Sequence, residues 1–398
     1  MTTISPAVQA LTSEMIALRR DLHRHPELGF QELRTAGIVA ERLTALGYTV
    51  RTGVAKTGVT GLLRGGKPGK TVLLRADMDA LPIHEETDVP WRSESPGVMH
   101  ACGHDAHTAM GLTVAAVLAR MAPSLAGNVL FVFQPAEEIS RGAEGMLAEG
   151  ILEGIQPDAA LAVHVYNQWP VVTIAISEGP AMASADKLTL TVTGRGGHGA
   201  SPHLAIDPVV ASAQIITALQ TLISRERPPL DAAILSITML RAGTAFNIIP
   251  DTVEMTGTFR CLVPALRERL LASLARTVEG VAAAFRCTAS VKDEYLTPAV
   301  VNDPAVTRMA REAAAGIVGA ERVIAPVPLT GSEDAAFLWQ KVPGCYAFIG
   351  SARPEWSPAP SLHNARFDID ESCLEVGVEF LVRAACRVLG AHGVPSIG

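Results

Sequence analysis

The sequence predicts an α/β fold: a mostly parallel sheet covered by helices, interrupted by an inserted α+β domain of ferredoxin-like order. Three observations carry this expectation. The first part alternates continuous apolar runs with helical patterns, the middle switches to strict in-out alternation, and past Pro298 the apolar, helix-flanked style returns. Strands that are apolar on both sides of the pleat belong in a parallel sheet buried on both faces, whereas alternating strands belong in a sheet with one wet face.

In chain order, "TVLLRA" (71–76), "NVLFVF" (128–133) and "AALAVHV" (159–165) read as buried strands, with a helix from about Asp105 to Met121 between the first two. Around Met182 the pattern changes. "DKLTLTVTG" alternates as a strand and "IDPVVASAQIITALQTLISR" reads as a helix. "AILSITMLRAG" and "DTVEMTGTFRCL" are strands, a helix opens at Pro264, and "CTASVKDEY" alternates again. That order is β-α-β-β-α-β, the split βαβ arrangement. A helix, the apolar strand "CYAFIG" (345–350) and a last helix from about Asp370 complete the chain. The expected division is a discontinuous α/β domain of residues 1–182 and 298–398 and an insert of 183–297.

Composition narrows the function classes. With 398 residues, 48% hydrophobic and 18% charged, the chain has the profile of a globular protein with material for two cores. No apolar run reaches the roughly 20 residues of a membrane helix. The first residues, "MTTISPAVQALTSEM", lack the basic and apolar regions of a secretory signal, so the expected location is cytoplasmic. A net charge of −7 without a Lys/Arg cluster argues against nucleic-acid binding and leaves small molecules or proteins as partners. Six widely spaced cysteines read as reduced thiols.

Polar residues follow the apolar strands: Asp77 and Asp79 after the first, Gln134, Glu137 and Glu138 after the second, and His164 in the third. Ligands of open α/β sheets sit at the carboxyl ends of strands, so these positions can converge on one crevice. "MHACGHDAHTAM" (99–110) adds a cysteine and three histidines. Gly103 favours a loop that carries Cys102 and His104 just ahead of the helix, with His107 in its first turn and His100 and His107 as supports. A thiolate and an imidazole two residues apart suit a borderline-soft divalent ion. Adjacent carboxylates diverge, so of Glu137 and Glu138 one can bind metal while the other acts as general base. Each feature also has a plainer explanation: surface histidines, an acidic helix start, a core histidine at 164 and a solvated loop histidine at 363.

Taken together, "HRHPELGFQE" (23–32), "RADMDALP" (75–82), "MHACGHDAHTA" (99–109), "FQPAEE" (133–138), "GRGGHGASPH" (194–203), "FNIIPD" (246–251), "GTFR" (257–260), "GSEDAAF" (331–337) and "LHNARFDIDE" (362–371) span nearly the whole chain. With these blocks it resembles the aminoacylase/carboxypeptidase family of dinuclear metallopeptidases, in the branch of hippurate hydrolases and indole-acetyl-amino-acid hydrolases. The resemblance implies metal ligation by Cys102, His104, Glu138, His164 and His363, hence two adjacent divalent ions, zinc or manganese with cobalt or nickel as alternatives. It implies that Glu137 is the general base and that Asp79 orients the groups around it. The insert resembles a lid and dimerisation domain in which His198 polarises the scissile carbonyl, across a homodimer in many relatives, while Asn247 and Arg260 contact substrate. Two positions depart from the family pattern, Ala335 after "SED" and Ala365 in "HNARF", and both bear on substrate preference.

The implied activity is hydrolysis of N-acyl amino acids with acetyl, benzoyl or aryl-acyl groups. A carboxypeptidase or dipeptidase is the alternative within hydrolases, and a binding protein on the same fold the alternative outside them. The latter is disfavoured because every implied ligand and the base are present. A closed structural zinc site is excluded by the ligand spacing.

Overall fold

The computed structural model describes residues 2–390. The chain divides into two compact units. One ends at Ala181 and resumes over Val301–Val327 and from Asp334 onward; the other is Met182–Val300 with Pro328–Glu333.

The first unit opens with helices α1 (Thr12–Arg24) and α2 (Leu33–Ala45), followed by the hairpin β1 (Thr49–Val54) and β2 (Gly58–Arg64). Strand β3 (Lys67–Asp77) leads through a long loop to α3 (His104–Met121), then β4 (Ala126–Gln134), β5 (Ala159–Pro170) and the short β6 (Ile174–Ala175). The last seven residues of β3 are all buried, which is why that stretch reads as an unbroken apolar run ending in acid. Helix α3 is buried on almost every face, so it shows little amphipathic pattern.

The second unit contains β7 (Ala185–Thr193), the two-residue β8 (Gly197–His198), α4 (Pro208–Thr221), β9 (Ala233–Ala242), β10 (Ile248–Ile249), β11 (Thr252–Cys261), α5 (Pro264–Ala284) and β12 (Thr288–Thr297). Its main sheet has the order β9-β11-β7-β12, antiparallel throughout, which is the ferredoxin-like arrangement. Burial alternates along β11, and the inward side chains Val253, Met255 and Phe259 pack with Ile215, Leu219, Leu270 and Leu274 of the two helices. Helix α4 starts where sequence chemistry places it: Asp207 caps the Val209 and Val210 amides and Pro208 occupies the first turn.

Back in the first unit, α6 (Pro304–Val318), capped in the same way by Asp303, precedes β13 (Val323–Ile324), β14 (Gly344–Ala352) and α7 (Cys373–Val388). The eight-stranded sheet runs β1-β2-β4-β3-β5-β14-β6-β13. The central pairs β4/β3, β3/β5 and β5/β14 are parallel, whereas the hairpin edge and the β14/β6 pair are antiparallel. The sheet is therefore mixed at its margins, through elements too short or too irregular to announce themselves in sequence. Pro328–Glu333 clusters with the second unit, although the sequence pattern groups it with the first. Among the described residues no helix is long and apolar enough to cross a membrane.

Candidate active site

The carboxyl ends of β3, β4 and β5 carry the polar residues toward one place. Arg75 pairs with Ala162, so Asp77 and His164 each stand two residues further along parallel strands, and Asp77 itself pairs with Gln134. The "HACGH" segment crosses this row. Gly103 has φ +87°, and a Cβ there would lie 2.4 Å from Val165 Cγ2, so both backbone conformation and space demand glycine. His104 is the first residue of α3 rather than a loop residue, a correction of one position caused by the left-handed Gly103 serving as the helix N-cap.

Cys102 Sγ lies 3.4 Å from His164 Nε2. His164 Nδ1 donates to the Val165 carbonyl at 2.7 Å, which leaves Nε2 free to offer its lone pair toward the thiol. His104 is 1% exposed, yet neither ring nitrogen has a hydrogen-bond partner; its Nδ1 is 3.4 Å from Asp79 and its Nε2 3.9 Å from Glu138. Oε1 of Glu138 is likewise buried without a partner, while Oε2 is 3.4 Å from His363 Nε2. His363 is half exposed, adopts φ +61°, and anchors its backbone N–H on the Ala101 carbonyl. The donor atoms form two triads, Cys102–His104–His164 and Cys102–Glu138–His363, each with all atoms within 4.8 Å. Cys102 belongs to both.

Buried donors that find no partner within the protein cost free energy unless something else satisfies them. Two adjacent divalent cations satisfy these, and thiolate, imidazole and carboxylate are the right donor types. The electrostatics agree. Burial, reinforced by the charges of Glu138, Glu137 and Asp77, pushes the Cys102 thiol well up, and burial holds His164 well below its ordinary value. Burial opposes a charge on His104, but Asp77, Asp79 and Glu138 outweigh it and raise that group to about 10. The pocket is thus anionic and calls for positive charge at its centre.

Surrounding carboxylates hold this set in place. Asp79 accepts the Glu137 and Glu138 backbone N–H groups at 3.0 Å each, so one carboxylate fixes two consecutive residues. Asp77 accepts from His107 Nδ1 at 2.6 Å, and His107 Nε2 accepts the Val165 N–H at 3.0 Å. Those partners set the His107 tautomer and occupy both nitrogens, so His107 supports the site from α3. Asp77, whose position but not role was visible in sequence, is held well below the usual carboxylate range: burial would raise it, but Arg75, His104 and His107 prevail. Arg75 also donates to Gln134, Gln134 donates to Asp334, and Asp334 accepts the Gly142 and Ala143 amides beyond the Glu137–Glu138 turn. Sequence reasoning did not assign roles to Glu32, Arg75 or Asp334. Each falls inside a quoted block, Glu32 in "HRHPELGFQE", Arg75 in "RADMDALP" and Asp334 in "GSEDAAF", but nothing in those blocks names its partners.

Of the remaining candidates, His198 and Asn247 meet in the second unit: β8 pairs with β10 at His198 and Ile248, and Gly199 N–H donates to the Asn247 carbonyl at 2.8 Å. Arg260 lies on β11 with Nη1 buried and lacking a hydrogen-bond partner.

The sequence model of the Peptidase family M20/M25/M40 matches residues 73–387. The chain belongs to that family. Peptidase M20 membership makes it a metal-dependent amidohydrolase. It is 39% identical over 374 residues to thermostable carboxypeptidase 1 of Saccharolobus solfataricus, covering 93% of this chain and 94% of that protein. It is 37% identical over 386 residues to the N-acetyl-L-cysteine deacetylase of Bacillus subtilis, covering 97% and 90%. Among M20 structures, the Bacillus subtilis YXEP protein, described as a dinuclear metal-binding peptidase, superposes with a TM-score of 0.85 at 36% identity, covering 96% of this chain and 99% of that one.

Proposed function

We propose that this site hydrolyses the amide bond of N-acyl amino acids, releasing a carboxylic acid and a free amino acid, with Cys102, His104, Glu138, His164 and His363 as ligands of two divalent ions. The observation that carries the reading is the convergence of buried donors lacking protein partners, on His104 and Glu138, beside the carboxylate of Glu137. Bound there, the ions supply Lewis acidity, lowering the pKa of water and polarising the amide carbonyl.

The protein's own groups do the rest. Glu137, 9% exposed and fixed through its backbone N–H by Asp79, takes the proton of the attacking water and passes it to the leaving amine. His198 stabilises the oxygen of the tetrahedral centre, Asn247 contacts the substrate, and the Arg260 guanidinium pairs with its free carboxylate. For the acyl group we assign a cleft of about 360 Å³ lined by Tyr166, Asn167, Gln168 and residues 359–362, which are sequence neighbours of His164 and His363.

The chain acts as a homodimer through the second unit. Supporting this, edge strand β9 exposes Met239 and Leu240, and Phe246 and Ile248 stand out nearby in sequence, an apolar edge that association would cover. Zinc or manganese suits the donors. Six unpaired buried cysteines suit a reducing compartment such as the cytoplasm.

Glu137→Ala tests the assignment: the variant keeps its metal and loses turnover of N-acetyl- and N-benzoyl-amino acids, and retained turnover refutes it. Dipeptidase or carboxypeptidase action is the second reading, favoured by the similarity to the Saccharolobus solfataricus carboxypeptidase. Comparing kcat/KM for dipeptides and N-acyl amino acids decides between them.

A further inference from the structure

The turn that carries Glu137 and Glu138 begins at Ala136, which has φ +52° although it is not glycine. An L-residue stays in that region only where its surroundings hold it there. What holds it is Glu32. This side chain is fully buried; Oε1 accepts the Ala136 N–H at 2.8 Å and Oε2 accepts the Thr57 hydroxyl at 2.5 Å. Thr57 closes the β1–β2 hairpin turn, in which Ala55 and Lys56 are also left-handed. The Glu32 segment is pressed directly onto the turn. A Cβ on Gly29 would sit 3.1 Å from Ala136 Cα and 3.4 Å from Asp79 Oδ2.

Three consecutive amides are therefore held by two buried carboxylates: Ala136 by Glu32, and Glu137 and Glu138 by Asp79. Asp79 fixes the two acidic residues relative to each other, and Glu32 fixes the direction from which the chain enters them. A carboxylate accepting a backbone N–H is a strong, oriented hydrogen bond, and loss of one leaves the strained turn free to relax. Relaxation of a residue directly before the base moves that base by the sub-ångström distances that matter to proton transfer.

We propose that Glu32 is a positioning residue for the general base: by clamping the left-handed turn at Ala136 and tying it to Thr57 of the hairpin, it sets where the Glu137 carboxylate stands. The proposal rests on the assignment of Glu137 as base. It places the effect on kcat before metal loading, because Glu32 touches none of the candidate ligands' donor atoms, the clamped Ala136 directly precedes the base, and Glu138 is one residue further on and has the other ligands to share the metal.

The test compares Glu32→Ala with Glu32→Gln in metal-loaded enzyme, reading kcat and KM for an N-acyl amino acid, metal stoichiometry, and the thiolate charge-transfer absorption of the cobalt-substituted protein. Glu32→Ala lowers kcat about 10- to 100-fold, the usual range for a group that orients an active-site residue, with KM, stoichiometry and absorption kept. Glu32→Gln, which retains an oxygen acceptor for the Ala136 N–H, recovers most of the loss. In the Ala136→Gly background, where the turn needs no clamp to hold its φ, Glu32→Ala costs less. Unchanged kcat in folded Glu32→Ala, or a loss that tracks metal loss, overturns the proposal. Should Glu32→Ala fail to fold, Thr57→Val releases Oε2 alone, and a kcat equal to wild type in that variant also overturns it. The two readings fail separately: active Glu137→Ala removes the base assignment, whereas inactive Glu137→Ala with fully active Glu32→Ala removes only the role of Glu32.

Discussion

Replacing Gly103 by alanine puts the centre of the "HACGH" segment to a direct test. Alanine at φ +87° carries a left-handed penalty of about 1–2 kcal/mol. Its Cβ would also stand 2.4 Å from Val165 Cγ2, in a strand buried on both faces, and such overpacking costs about 1–3 kcal/mol. Together the two give a destabilisation of about 2–5 kcal/mol if the backbone holds. If the backbone gives way, Cys102 and His104 move apart and the loss appears in metal affinity. Urea unfolding of the metal-free protein reads the first part, and metal titration of the folded protein reads the second. Adding Val165→Ala separates the causes: it relieves the overlap and leaves the φ penalty, so the pair shows a favourable coupling of about 0.5–3 kcal/mol. Wild-type stability together with wild-type metal binding in Gly103→Ala would refute the reasoning.

Three other expectations follow from groups away from that loop. Arg19 is fully buried with Asp105 at 2.8 Å, Glu371 at 3.3 Å and Asp368 at 3.4 Å; Arg19→Met leaves Glu371 to Arg20, Asp368 to Arg353 and the fully buried Asp105 to His23 alone, and this loss of a buried cation costs about 3–5 kcal/mol in urea unfolding, whereas a change below about 1 kcal/mol contradicts this. If His198 serves the partner subunit's site, mixing Glu137→Ala and His198→Ala subunits restores activity through one intact composite site, and verified subunit exchange without recovery argues against action in trans. Burial pushes Cys345 up to about 12 and Cys386 up to about 11 from an ordinary 9, so each holds its proton until the solution becomes strongly alkaline. At pH 8 their thiolate fractions are about 100- to 1000-fold below that of a free thiol, and iodoacetamide should label these two positions in the native protein only as pH rises; rapid labelling of either at pH 8, read by peptide mapping, would be inconsistent with this.

How legible each feature was in sequence depended on how local its cause is. Strands β3, β4 and β5 announce themselves because burial on both faces demands apolar residues throughout, and the second unit because one wet face imposes alternation. The candidate ligands were visible because Cys102 and His104 come from one short segment and the rest from strand ends or quoted blocks. Glu32 was invisible as a clamp because its partners, Ala136 N and Thr57 Oγ1, are set by tertiary packing, and nothing in "FQE" points to them. The Arg75–Gln134–Asp334 chain joins three blocks far apart in sequence, and its logic exists only once β3 and β4 lie side by side. The hairpin β1–β2 was missed because neither strand has a clean period; β1 is largely exposed, whereas β2 is mostly buried.

The pairing of β5 with β14 has a consequence for biosynthesis. These neighbours in the middle of the sheet come from either side of the insert, and Phe348 pairs with His164 itself. During translation β5 emerges long before its partner, so its apolar edge waits unpaired while the whole second unit is made. Non-local parallel pairing of this kind is slow, and an open apolar edge is a template for association with other chains. The vulnerable moment in this protein's life is therefore the interval between synthesis of residue 170 and residue 344. A nascent chain halted there would carry His164 on an exposed strand with His363 not yet made.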